Sequence, residues 1–419
     1  MAVASPEPVA SEPEPPLLSE PTGGVPEAIV SQDALDEAVA GLQAESGPVA
    51  VDAERASGYR YGQRAYLVQL RRGQAAPVLL DPVAGLDLTG LADMLDGPEW
   101  VLHAANQDLP CLAELGLAPR LLFDTELGSR LAGLPKVGLS AVVEQLLGVR
   151  LAKEHSAVDW STRPMPQSWL RYAALDVELL LDLRLILREM LEAQGKLHWA
   201  EEEFAAVAAA PPTPPRMDPW RRTSGMHTVR NRRNLAAVRA LWQAREDMAR
   251  ARDLAPGRLL PDSAIVEAAL QMPSSAAELA ALKVFSGPAN RRLAAVWLGA
   301  IERARRMPEA ELPMPAAAPE GPPPVRSWPE RDPAAAARLS RVRPALADLA
   351  AQHRLPVENL LSPDTVRRLA WQPPEELSVD AVAATLRSRG ARQWQIETTT
   401  PVLLATLLAV PEPVVVTNG

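Results

Sequence analysis

Apolar positions in the first two hundred residues follow two rhythms. Short apolar runs at strand spacing occur in VAVDAE (49–54), AYLVQL (65–70), PVLLD (77–81) and WVLHA (100–104). Helical periodicity appears in QDALDEAVAGLQ, GLADMLDG, DLPCLAELG and GLSAVVEQLLG, and in the long stretch SWLRYAALDVELLLDLRLILREMLEAQG. LLFDTELGSRLAG adds a strand-to-helix junction at Asp124. Strands that come first as a meander and are later interleaved with helices predict a mixed sheet flanked by helices.

Beyond residue 204 the apolar pattern is helical only. Pro and Ala clusters near 205–219 and 307–333 read as linkers. They predict a mixed α/β block over 27–204 and two all-α blocks over 220–306 and 334–410, with tails at 1–26 and 411–419. LAPGRLLPDSAI (254–265) and LPVENLLSPDTV (355–366) align, so the helical blocks read as a duplication.

Composition narrows the setting. Cys111 is the only cysteine, which excludes an intrachain disulfide or a multi-thiolate zinc site and fits a reducing cytoplasm; it reads as a small buried hydrophobe. Acids and prolines fill the first 26 residues, which read as a disordered tail and not a secretory signal. PVLLATLLAV (401–410) is about half the length of a membrane span, so no membrane partner is expected.

The net charge of −9 is concentrated at the front, where residues 1–54 hold eleven acids and no Lys or Arg. By contrast the segment 216–252 is dense in arginine. Arg221, Arg222, Arg230, Arg232 and Arg233 are candidates to hold phosphates, with Trp220 and Trp242 available for stacking, and a solvated basic helix face is the other reading.

Asp52 and Glu54 lie one residue apart on a strand and share a face, while Ala53 turns away. Two anions in one small volume require screening water, a shared proton or a cation. Asp108 stands where WVLHA runs out and a helix begins, a position that also suits a helix cap. Tyr172 and Asp176 are four apart on a helix and share its face. Asp124 reads as a cap, His103 as a core or supporting histidine, and Glu178 and Asp182 as solvated acids.

Taken in order and spacing, DAE, HAANQDLPCL and DWSTRPMPQSWLRYAALDVELL resemble the three exonuclease motifs of the ribonuclease D family, in the DEDDy group of 3′-to-5′ exonucleases. The likeness spans roughly 45–195, and ARARDLAPGRLLPDSAI resembles the family's HRDC helical domain; the third block then looks like a second, divergent copy. The resemblance implies a ribonuclease H-like α/β fold. It also implies that Asp52 bridges two divalent cations, Mg²⁺ or Mn²⁺, with Glu54 and Asp176 on the first and Asp108 on the second, and that Tyr172 orients the attacking water.

Carboxylate oxygens suit such hard cations independently of the likeness. The implied substrate is RNA with a free 3′ end, such as a tRNA precursor. DNA end-trimming and a non-catalytic nucleic-acid-binding scaffold remain the alternatives. Gln107 and Ala53 depart from the family pattern, where a Glu and a Thr are usual.

Overall fold

The computed structural model describes residues 14–152, 158–214, 216–315 and 321–409. Its strands are β1 (Leu17–Leu18), β2 (Ala28–Ile29), β3 (Val49–Arg55), β4 (Ala65–Arg72), β5 (Val78–Leu80), β6 (Glu99–Leu102), β7 (Leu121–Asp124) and β8 (Arg150–Leu151). Six of them form one sheet in the order β2-β5-β4-β3-β6-β7. The β3–β4–β5 meander is antiparallel, while β6 and β7 run parallel to β3 after helical crossovers. The expected mixed sheet is therefore present, with β3 near its middle. Val49, Ala50 and Val51 are buried because both faces of the sheet are covered.

The helices of this block are α1 (Gln32–Ala44), α2 (Thr89–Leu95), α3 (Leu109–Ala113), α4 (Thr125–Ala132), α5 (Leu139–Leu147), α6 (Gln167–Glu178), α7 (Leu180–Ala193) and α8 (Leu197–Ala208). The long helical stretch is broken at Leu179, whose ψ is 1°. Leu175, Val177 and Leu180, on either side of this turn, are all buried. As a result α6 lies across β3, β4 and β5, α7 packs on α4 and β6, and α8 packs on β7.

The second block is built on α9 (Arg232–Arg252), followed by α10 (Pro256–Leu259), α11 (Asp262–Gln271) and shorter helices up to Arg306. It has its own apolar core around Leu241, Ile265 and Trp297. It meets the α/β block through the loop that follows β3. Ala255 N donates to Tyr59 O (2.9 Å), Arg258 Nε to Gly58 O (2.8 Å), and the Arg258 guanidinium lies 4.0 Å from the Tyr59 ring centre. Asp253 draws in Arg60, Arg64 and the Tyr61 N–H.

The third block repeats the α9–α10–α11 pattern in helices Pro333–Gln352, Val357–Leu360 and Pro363–Trp371, and adds Val379–Ser388 and Gln393–Leu408. Asp253 and Arg354, at equivalent corners, both have positive φ (46° and 52°). This block is not a separate body, because its apolar residues join the core of the α/β block. Trp394 stacks on Trp199 with centroids 4.7 Å apart, and its Nε1 donates to Glu203 (3.0 Å). Gly133, which ends α4 at φ 83°, lets the Arg354 carbonyl approach so closely that a Cβ would sit 2.6 Å from it.

Several expectations need correction. Residues 14–26 of the predicted tail are ordered: β1 pairs with β8, Glu14 meets Arg150, Glu20 meets Arg171, and Thr22 N donates to Glu178 (3.0 Å). Arginines on the α/β block take up the acids, and β8 and the Glu178 carboxylate take up backbone groups, that composition alone assigned to solvent. Residues 1–13 and 411–419 of the predicted tails, and Val410 at the end of the third block, lie outside the described residues. The stretch 205–208, placed in a linker, completes α8. Within 307–333, Leu312 is buried in the second core, while Trp328 is buried against Trp371 of the third block. Short helical turns between the prolines, Glu309–Glu311, Val325–Ser327 and Trp328–Arg331, carry these side chains into the two cores. Among the described residues no helix is long and apolar enough to cross a membrane.

Candidate active site

The expected convergence of acids occurs at the end of β3. Asp52 lies opposite Gln69 and Glu54 opposite Leu67, so both carboxyl groups rise on the face covered by α6, while Ala53 is buried on the other. The β3–β4 register shifts between Glu54 and Arg55, which pairs with Ala65. Helix α6 brings Tyr172 and Asp176 over the same face. One carboxylate oxygen from each of Asp52, Glu54 and Asp176 lies within 4.8 Å of the others.

Asp108 enters from the other side, between the turn at Ala105–Gln107 and α3. It makes no helix cap: its buried carboxyl faces Asp52, with which it shares a hydrogen bond, and Arg55 Nη2 at 3.3 Å. Arg55, unassigned by sequence, thus partly neutralises this acid. The turn itself is held by Asp124, which accepts from the N–H groups of Ala104, Ala105, Glu126 and Leu127. Asp124 is a cap, as its sequence position predicts, and it also anchors the backbone that presents Asp108.

The acids and Tyr172 line a cleft of about 680 Å³, with His103, Gln107 and Leu139 on its walls. Burial is the main reason that Asp52 is pushed up to about 6. Burial, then the charge of Asp52, pushes Asp108 up to about 8. Glu54 and Asp176 are raised well above the carboxylate range, first by burial and then by neighbouring carboxylates. The Tyr172 phenol is raised by burial and by Asp176, Glu54 and Asp52. This is a concentration of negative charge that lacks enough cations of its own.

His103 is lowered to about 4 by burial and is neutral near pH 7. Its Nδ1 lies 2.9 Å from the Thr125 hydroxyl, which itself donates to Leu102 O, so it supports the wall as expected. The DWSTRP element is structural in what it touches. Trp160 is fully buried with its ring 6.4 Å from that of Tyr172, and Arg163 clamps Asp81 (2.6 and 2.8 Å) and Tyr66 O (2.9 Å).

Other assignments change. Glu178 is buried and not solvated: Arg71 Nε lies 3.7 Å from its carboxylate, and Arg71 Nη1 donates to its carbonyl. Asp182 is exposed as expected. Of the arginines proposed for nucleic acid, Arg232 donates to the carbonyls of Glu309, Leu312 and Pro313, and Arg233 to those of Ala304, Arg305 and Met307. Arg221 is paired with Asp218 and lies over Trp220, which is buried and unable to stack on a base. These three close their own block, and only Arg222 and Arg230 of the five are exposed. Cys111 is buried, as predicted.

Residues 26–192 match a family model described as 3′-5′ exonuclease, residues 234–301 that of the HRDC domain, and residues 321–407 that of a 3′ to 5′ exonuclease C-terminal domain. The third block is thus matched by a model of its own. Residues 26–192 thus form a 3′-to-5′ exonuclease domain, of a metal-dependent class of hydrolases.

A ribonuclease D of Gluconacetobacter diazotrophicus is 33% identical over 338 residues, covering 78% of this chain and 82% of that protein. The crystal structure of a Bifidobacterium adolescentis protein superposes with a TM-score of 0.86 at 39% identity, over 94% of this chain and all of that one. Escherichia coli ribonuclease D, described as an exoribonuclease involved in structured RNA processing, superposes at 0.66 with 27% identity, over 90% of this chain and 98% of its own. The chain belongs to the ribonuclease D family.

Proposed function

We propose that this chain shortens RNA from a free 3′ end, releasing 5′-mononucleotides, with Asp52, Glu54, Asp108 and Asp176 holding two divalent cations. The meeting of three carboxylates from β3 and α6 within 4.8 Å, with Asp108 against Asp52, carries this reading. The donor set fits Mg²⁺ or Mn²⁺: it is all carboxylate oxygen, and its proton affinities are raised first by burial and then by mutual repulsion, which a cation would relieve. Bound there, such cations supply an activated water and charge relief at the leaving oxygen.

Asp52, close to Glu54 and Asp176 and facing Asp108, would be the carboxylate shared by the two cations. Tyr172 keeps its proton at neutral pH, so it serves as a hydrogen-bond donor that orients water and not as a base. Arg55 fixes the Asp108 carboxyl. In this reading the block over 27–204 cuts, while those over 220–306 and 334–410 help to hold the RNA, with Arg222 and Arg230 as candidate phosphate contacts. The natural substrate is the 3′ end of a stable RNA such as a tRNA precursor, a reading supported by the description of the Escherichia coli relative. We place the enzyme in the cytoplasm, consistent with its lone cysteine.

The test is cleavage of a 5′-labelled, 3′-tailed RNA in Mg²⁺ or Mn²⁺, with the same sequence made as DNA alongside. Wild type is expected to give a one-nucleotide ladder and Asp52→Ala at least a 1,000-fold slower one, on the order of the loss of a principal catalytic group. Equal cleavage by Asp52→Ala would overturn the assignment. Preference for the DNA strand would overturn the RNA reading.

A further inference from the structure

Gln69 is polar, fully buried, and has neither its amide nitrogen nor its amide oxygen hydrogen-bonded. Native interiors seldom leave both ends of an amide unpartnered, since each such group costs about 1–3 kcal/mol. Its position explains why the residue is there. Gln69 is the cross-strand partner of Asp52, so the two side chains share the face beneath α6.

Its other neighbours are apolar or committed. Leu79 pairs with it on β5, Leu67 lies two positions back, and Ala173 and Ala174 close the face from α6. Two positions on, Arg71 is held by Glu178, which in turn binds Thr22 of the amino-terminal segment. The amide therefore sits between a cation along its strand and the central carboxylate across the ladder. Its carbonyl end suits Arg71, and its NH₂ end suits Asp52.

Carboxylates that ligate a metal are commonly held by a hydrogen bond from behind. We propose that Gln69 is a positioning residue for Asp52, its amide nitrogen donating to the Asp52 carboxylate, directly or through one water, in the metal-loaded protein. This rests on Asp52 being a metal ligand.

The experiment is calorimetric titration of the full chain with Mn²⁺, comparing wild type with Gln69→Met, which keeps the volume and removes the amide. Support would be a variant that melts no lower than wild type yet binds Mn²⁺ about 10-fold more weakly, the usual cost of losing a ligand's hydrogen-bond partner. Unchanged affinity in a folded variant overturns the inference while leaving the site assignment standing. Absence of Mn²⁺ binding by wild type overturns both. Should Gln69→Met fail to fold, a crystal structure of wild type with Mn²⁺ decides the point. An amide nitrogen within hydrogen-bond reach of Asp52, or of a water that Asp52 also binds, supports it, and any other orientation overturns it.

Discussion

In the second block α9 turns at Asp253 into α10 and α11, and in the third the helix Pro333–Gln352 turns at Arg354 into the same sequence of elements. Yet their apolar faces go to different places. The second block closes on itself around Leu241 and Trp297 and touches the catalytic block through hydrogen bonds, ion pairs and two cation–ring contacts. The third buries Trp394, Leu403 and Leu360 in the core that also holds Val51 and Leu183 of the catalytic block. One helical pattern thus serves as a polar-tethered arm in one copy and as part of the catalytic body in the other. What differs is the side chains outside the repeated corner, and polar tethers are weak where shared apolar burial is strong.

The largest test of this contrast is Trp394→Ala, which removes a buried ring stacked on Trp199. It is expected to cost about 3–5 kcal/mol in denaturant unfolding and to weaken the catalytic and third blocks together. Loss of the third block alone, with the catalytic block still melting as in wild type, would break the comparison.

The second test uses pH in metal-free protein. Asp108, at about 8, and Asp52, at about 6, hold protons more tightly when folded than the ~3.9 of an unfolded aspartate. A group raised in this way is stabilising only while protonated, so stability falls as pH rises from about 4 to about 8. In calorimetric scans with a chelator, the transition shared by the catalytic and third blocks should drop by several degrees between pH 5 and pH 8, while that of the second block stays in place. Asp108→Asn should flatten the slope. Equal shifts in both transitions would show that the arm is not independent.

The smallest effect is expected from Arg258→Ala. Its partners are a carbonyl and a ring at an exposed junction, so stability should change by less than about 1 kcal/mol. Hydrogen exchange should quicken in the loop 57–61, and salt should raise the rate further. A loss as large as that from Trp394→Ala would mean that the tether matters as much as the shared core.

Much of the site was legible because its pieces are local. A period of two puts Asp52 and Glu54 on one strand face, and a four-residue spacing puts Tyr172 and Asp176 on one helix face, whatever surrounds them. Misreadings occurred where partners are distant in the chain. Glu178 looked solvated because Arg71, 107 positions away, was invisible. Arg232 and Arg233 looked free because local charge density does not reveal that the carbonyls of 304–313 close over them. Residues 14–26 looked loose because short β1 finds its partner only at Arg150–Leu151.

By itself, then, the sequence determined the order of β3 to β7 and of the helices between them, the two pairs of candidate site residues and the repeated helical corner, since these follow from backbone periodicity over a few residues. Tertiary structure alone decided that Asp52, Glu54 and Asp176 meet within 4.8 Å, that Asp108 turns to Asp52 and Arg55 and not to its own helix, and that the third block joins the catalytic core. Those outcomes depend on long-range packing, where burial and charge are shared between segments that the chain itself keeps far apart.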